Sequence, residues 1–212
     1  MSDTAFVLGN GESRKGIKIS HLQKSGKVFA CNGVYRTESP DFLVAVDPKM
    51  IFEIGETDYP KKHQVWSNFN HQYSKKPTIM DHMKWFKPSL GWSSGPTALK
   101  MAADQNLYKV IYILGFDYQG HPRDHKNHRF AFNNLFKDTR NYKRSVDEAT
   151  YYGNWMNQTK RVIQDYPHIK FKRVVPKNAF KPHDLEFFKN FKHVHIEDFY
   201  EIYNVHIENN QK

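Results

Sequence analysis

The sequence predicts an α/β protein: one domain with a central, mostly parallel sheet and helices on both faces. Three observations carry this. The chain has 212 residues, enough to bury one such core and too few for two comfortable domains. Short apolar runs alternate with stretches of helical pattern, the order that builds parallel βαβ units. Four of those runs end in polar or glycine-containing turns: Gly9-Asn10-Gly11, Asn32-Gly33, Asp47-Pro48 and Gly115-Phe116-Asp117. In open parallel sheets the ligand crevice lies outside the carboxyl ends of the strands, so these four turns are expected to converge on one site.

The strands are expected at Ala5–Leu8, Lys27–Cys31, Phe42–Val46, Lys109–Leu114 and Lys170–Val175, each a short apolar run bounded by polar residues. Helices are expected at 48–54, where Asp47 is a good N-cap and Pro48 suits the first turn, and at 96–105, rich in Ala and Leu. The longest helix is expected over 146–166, with Met156, Val162 and Ile163 on one side and Gly153 weakening its first half. A short aromatic helix is expected at 185–191. The stretch 194–207 alternates apolar and acidic residues and reads as an edge strand pair or an oligomer contact, so a dimer is one expectation. Residues 118–142 show no period and are loaded with His, Arg, Lys and Asn, which reads as a long polar lid loop over about 118–145. The whole chain, 1–212, is thus expected to form a single Rossmann-like domain carrying a lid.

Charge and cysteine usage bound the partners. Thirty-two basic residues against 22 acidic ones give a net charge of +10, which favours an anionic ligand or polyanionic partner. The basic residues are spread along the chain, as on a folded basic face rather than a disordered arm. Cys31 is the only cysteine, so no intrachain disulfide forms and a reducing, cytoplasmic setting is expected. No run approaches the roughly 18–20 apolar residues that span a bilayer, and the first residues carry no signal-peptide pattern, so no membrane partner is expected.

The turn in Phe6-Val-Leu-Gly-Asn-Gly-Glu-Ser-Arg14 is neither the GxGxxG of dinucleotide folds nor a P-loop. Ser93-Ser94-Gly95-Pro96 opens the Ala-rich helix, where free N–H groups and two hydroxyls make an anion cradle. The order of short motifs is more telling. Gly9-Asn10-Gly11-Glu12-Ser13, Cys31-Asn32, Ser94-Gly95 and Gly115-Phe116-Asp117-Tyr118 occur in the sequence that resembles the sialyltransferase-like glycosyltransferases, most closely the small bacterial sialyltransferases, over residues 5–48 and 91–180.

The resemblance implies a single Rossmann-like domain with a lid that takes a cytidine-monophosphate-activated sugar and needs no metal. On it, Gly9, Asn10, Gly11, Ser13, Asn32, Asp47, Ser93, Ser94, Gly95 and Asn154 are expected around the nucleotide sugar, CMP- or UDP-linked. Asn amides both donate and accept, and the glycines admit a close backbone approach. Tyr118 matches a tyrosine that bonds the leaving phosphate. Two positions depart from the family. Its second phosphate-binding tyrosine falls at Phe130, leaving Arg129 or His128 to supply positive charge. Its catalytic histidine falls at Asn154, after Tyr151-Tyr152-Gly153, and asparagine cannot serve as a general base. His121, His125, His128 and Asp124 are the replacement bases to expect, with His121 and His128 preferred. Glu12 stands where the family has proline and brings negative charge next to the expected phosphate.

Two other readings compete. A pterin-type diphosphokinase shares the GNG turn and would use Asp47 and Asp117 for Mg²⁺. A non-catalytic nucleic-acid-binding protein would use the basic–aromatic segments 61–66, 83–87 and 187–192 for phosphate contacts and stacking. The first and last readings join in a viral type of DNA-modification enzyme that transfers a sugar to a hydroxylated base.

Overall fold

The computed structural model describes residues 2–124 and 129–203. Among the described residues ten strands form, in chain order: β1 (Thr4–Leu8), β2 (Lys27–Cys31), β3 (Phe42–Val44), β4 (Val65–Ser67), β5 (Lys84–Trp85), β6 (Val110–Leu114), β7 (His121–Asp124), β8 (Arg129–Ala131), β9 (Lys170–Val175) and β10 (Phe191–His195). The α-helices are α1 (Ile19–Leu22), α2 (Pro48–Gly55), α3 (Tyr59–Lys62), α4 (Pro77–His82), α5 (Ser94–Asp104), α6 (Gly153–Asp165), α7 (His183–Glu186) and α8 (Ile196–Tyr203).

Eight strands make one sheet in the order β10-β9-β6-β1-β2-β3-β4-β5, and every pairing in it is parallel. The strand order reverses between β1 and β6, which is where a doubly wound sheet opens its ligand crevice. Period-2 alternation divides the core. Phe6 and Leu8 of β1 join Val28, Ile51, Ile54 and Phe199 on one face, whereas Ala5 and Val7 join Leu99, Ala102, Ile113 and Ile163 on the other. Helices α2 and α8 cover the first face, and α5 and α6 the second. All the listed side chains are completely buried, and such burial contributes roughly 1.5–3 kcal/mol for each large residue.

Three expectations are corrected. The long helix starts at Gly153, not Val146, because residues 147–149 pair with the β7–β8 hairpin instead: Ala149 N–H donates to Phe130 O (2.9 Å) and Phe132 N–H to Asp147 O (3.0 Å). The short aromatic helix ends at Glu186, and Phe191 opens β10. The C-terminal stretch is one edge strand followed by helix α8 rather than a strand pair. Ile196, Phe199 and Tyr203 recur at helical spacing and pack on the sheet, with the Phe199 ring 6.1 Å from Phe6. Residues 204–207 of that stretch lie outside the described residues. The sequence reading also omitted β4 and β5, where Trp66 and Phe86 pack 5.5 Å apart and Lys84 lies 5.4 Å from the Trp66 ring. In these segments the basic–aromatic interleaving is therefore largely sheet packing. Among the described residues no helix is long and apolar enough to cross a membrane.

Candidate functional site

A cleft of about 160 Å³ opens at the carboxyl ends of β1, β2 and β6. Its wall includes Gly9, Asn10, Gly11, Asn32, Ser93, Ser94, Gly95 and Tyr118, so most of the residues expected around a nucleotide come together. Phe116, Asp117, Asn133 and Trp155 also line it.

The turns after β1 and β6 are laced together. Gly9 N–H donates to Leu114 O (2.8 Å) and Gly11 N–H to Gly115 O (2.9 Å). A Cβ at residue 9 would lie 2.5 Å from Gly115 O, and one at residue 11 would strike the Asp117 carboxylate. Both glycines thus serve the approach of one turn to the other, in addition to lining the cleft.

Asn10 is buried and its amide is fully oriented. Its Nδ2 donates to Cys31 O (3.0 Å) and to the Tyr142 hydroxyl (3.3 Å), and its Oδ1 accepts from Arg14 (3.1 Å). Both N–H groups are engaged, so toward a ligand Asn10 offers acceptor capacity only, not the donor and acceptor pair expected of it. Asn32 is the opposite. Its backbone is left-handed, with φ of 54°, and its Oδ1 is buried without a hydrogen-bond partner. Buried acceptors are nearly always paired, and strained backbone persists where surrounding structure imposes it, so Asn32 stands apart from the other residues of the turns.

Two buried guanidinium groups stand behind the cleft. Arg14 donates to Gly9 O (2.5 Å) and Asn10 Oδ1; Arg173 donates to the carbonyls of Phe116 (2.8 Å), Phe180 (3.0 Å) and Asp117 (3.4 Å). Burial pushes both below the usual arginine range, with Asp117 acting against the shift. Among the described residues neither has a carboxylate within ion-pair distance, so their charge adds to the N-terminal dipole of α5 in favouring an anion. Among the described residues Asp117 is the one carboxylate in the wall, and it is engaged: Ser13 Oγ and N–H donate to it, as does Asn133 Nδ2 (3.0 Å).

Several expected ligand contacts take other roles. Ser13 braces Asp117 and does not line the cleft. Asp47 caps α2 by accepting from Lys49 N–H (2.8 Å), as its sequence position suggested, and does not reach the cleft. Ser94 Oγ accepts from Val46 N–H (3.1 Å), tying α5 to the end of β3, whereas the Ser93 side chain makes no capping bond. Tyr118 lines the cleft, but its hydroxyl meets Thr159 Oγ1 at 2.9 Å, and burial pushes its pKa up to about 12. His121 lies outside the wall, with its Nε2 2.5 Å from Glu12. Glu12 also pairs with Lys137 (2.6 Å); burial raises its pKa, but these bonds outweigh that and hold it below the usual carboxylate range. The charge that looked misplaced beside a phosphate is thus neutralised at the rim. Arg129 and Asn154 are exposed and do not line the cleft. His125, His128 and the Asp124 side chain lie outside the described residues.

Arg14, Arg173, Asn133 and Tyr142 were not singled out by sequence reasoning. The one available signal was an arginine inside the apolar run Lys170–Val175, where a charge needs a buried partner.

No protein-family model matches the chain, and no curated protein matches it in sequence. The site and sheet order define a class, the single-domain α/β proteins with a crevice at the strand-order reversal. Within it, the chain is similar to the monofunctional alpha-2,3-sialyltransferase Cst-I from Campylobacter jejuni, at a TM-score of 0.55 and 13% identity over 90% of this chain and 83% of that one. It is also similar to the Campylobacter jejuni sialyltransferase CstII in complex with cytidine-5'-monophosphate, at a TM-score of 0.49 and 16% identity over 84% of this chain and 81% of that one. The likeness to Cst-I is one of fold.

Proposed function

We propose that the protein is a glycosyltransferase that moves a sugar from a nucleotide-activated donor to a hydroxyl acceptor. The observation that carries this reading is Asn32 in the cleft wall, whose side-chain Oδ1 is buried with no hydrogen-bond partner among the described residues. An acceptor held in a strained backbone calls for a ligand hydroxyl or amine, which a ribose or a base supplies. The first turn of α5 and the two buried arginines suit the phosphate of the same ligand, and Trp155 and Phe116 offer apolar surface beside it. The fold shared with Cst-I supports the same class.

In this reading the nucleotide is gripped by the β1 and β2 turns, and the leaving phosphate is stabilised by the positive end of α5. The acceptor hydroxyl loses its proton to a group other than Asp117, which is the wall's one carboxylate among the described residues and already accepts three hydrogen bonds. With Asp117 so engaged, transfer is expected to need no divalent metal. The net charge of +10 suits a polyanionic acceptor.

A thermal-shift screen against nucleoside mono- and diphosphates in EDTA tests the reading, since a ligand that binds only the folded state raises the melting temperature. CMP or a uridine nucleotide is expected to stabilise, and the matching nucleotide sugar to be consumed. Stabilisation by none of them overturns the proposal. Salt-dependent retention of hydroxymethylated DNA tests the polyanion separately.

A further inference from the structure

Asn32 is clamped from both sides of its own backbone. The carbonyl of the preceding residue, Cys31, accepts from Asn10 Nδ2 at 3.0 Å. The N–H of the following residue, Gly33, donates to the Tyr142 hydroxyl at 2.8 Å. That hydroxyl also accepts from Asn10 Nδ2 at 3.3 Å, so one phenolic oxygen touches the turns of both β1 and β2. The fit is specific: a Cβ at Gly33 would stand 2.9 Å from the Tyr142 oxygen and 3.1 Å from the Phe136 ring. Only a residue without a side chain lets the tyrosine in.

Tyr142 is itself held by a buried charge cluster rooted in α2. Arg36 stacks on its ring with 5.3 Å to the centroid, and on Phe136 at 5.9 Å. The guanidinium makes a two-point bond to Glu53, Nε to Oε1 at 2.7 Å and Nη2 to Oε2 at 2.8 Å. It also donates to Thr139 Oγ1 (2.6 Å) and Arg140 O (2.7 Å) in the segment that carries Tyr142. Glu53 is 6% exposed and accepts as well from Tyr35 (2.5 Å) and from Asn141 (2.6 Å), whose backbone is left-handed. A fully satisfied network of this kind fixes geometry. The loop from 132 to 145, read from sequence as part of a lid, is here bonded into the turns it was expected to cover, with Leu135 N–H also donating to Asn10 O (2.8 Å).

We propose that Tyr142 is a positioning residue of the cleft. Its hydroxyl locks the Asn10 amide and the Gly33 N–H, and thereby holds the cleft residue Asn32 in its left-handed conformation; the Glu53–Arg36 pair fixes Tyr142 in turn. The ligand side of this proposal rests on the nucleotide-sugar reading above.

The test is Tyr142→Phe, which keeps the ring and removes the oxygen. Calorimetric titration with CMP is expected to show affinity at least tenfold weaker than wild type, in a protein whose circular dichroism is unchanged. Amide hydrogen exchange at Gly33 is expected to accelerate. Glu53→Gln, one step further from the cleft, is expected to weaken CMP binding in the same direction by threefold or more, and it decides the matter if Tyr142→Phe does not fold. Binding of CMP by a folded variant within twofold of wild type overturns the proposal. If wild-type protein itself binds no nucleotide, the function reading fails, and the exchange measurement judges this proposal alone: faster exchange at Gly33 in Tyr142→Phe supports it, and unchanged exchange overturns it.

Discussion

On the sheet side of the cleft, the turns after β1, β2 and β6 are tied to each other and to two buried arginines, and nearly every polar atom has a partner. On the hairpin side, His121, Arg129 and Asn154 are exposed, and His121 is joined to the other side by its pair with Glu12. The contrast separates two tasks. Ligand recognition needs atoms fixed before the ligand arrives, because ordering them on binding would cost affinity. Proton transfer to or from an acceptor needs a group brought into place in the complex, so the free protein need not show it assembled. Among the described residues, the unpaired buried atom in these turns is Asn32 Oδ1, and the proposed function takes it as a ligand contact.

The largest expected effect comes from breaking the fixed side. Arg173→Met leaves the Phe116, Asp117 and Phe180 carbonyls without their donor. Each buried acceptor left unpaired costs roughly 1–3 kcal/mol, so a loss of about 3 kcal/mol in urea denaturation is expected, a large share of a domain's stability.

A smaller effect follows from His193, which faces Arg173 across the β9–β10 register and has both ring nitrogens buried without partners. Burial, then the positive charges of Arg173 and Lys181, lowers its pKa from 6.5 to about 4. The folded value lies below the unfolded one, so between pH 6.5 and 4 the unfolded chain binds the proton first. Stability from this group is therefore complete above pH 6.5 and lost as pH falls toward 4. Urea midpoints at pH 7 and pH 5 are expected to differ less in His193→Leu than in wild type.

The smallest effect is expected across the rim. Glu12→Gln removes a carboxylate paired with the half-exposed His121 and with Lys137. Such pairs contribute about 1 kcal/mol or less, and no change in nucleotide affinity is expected, because Glu12 does not line the cleft. A tenfold change in affinity there would erase the distinction between the two sides.

The same contrast explains what could be read in the sequence. The central strands and the turns after them were legible because short apolar runs ending in Gly-Asn-Gly or Asn-Gly have few other uses in an α/β chain. Asn10 and Asn32 lie in those turns and Ser93 and Gly95 at the Ser-Ser-Gly helix start, and the resemblance placed all four around the ligand. What was not legible depends on distant partners. Nothing near Tyr142 announces that its hydroxyl meets Gly33, 109 residues away. The start of α6 was misplaced because pairing of 147–149 with the hairpin overrides their local pattern. Val194 and His195 do form strand, but the pattern after them changes period, and Phe199 and Tyr203 obey the helical one. Asp47 and Ser13 were placed at the right end of the sheet yet serve the scaffold, a distinction made by side-chain direction, which sequence position alone leaves open.

The most direct test of the account is calorimetric titration of CMP and UMP, in EDTA, into wild type and Asn32→Ala. Saturable one-to-one binding of at least one of them is predicted, at least tenfold weaker in the variant, or about 1.4 kcal/mol. Binding of equal strength in the two proteins, or no binding of either nucleotide by the wild type, would contradict it.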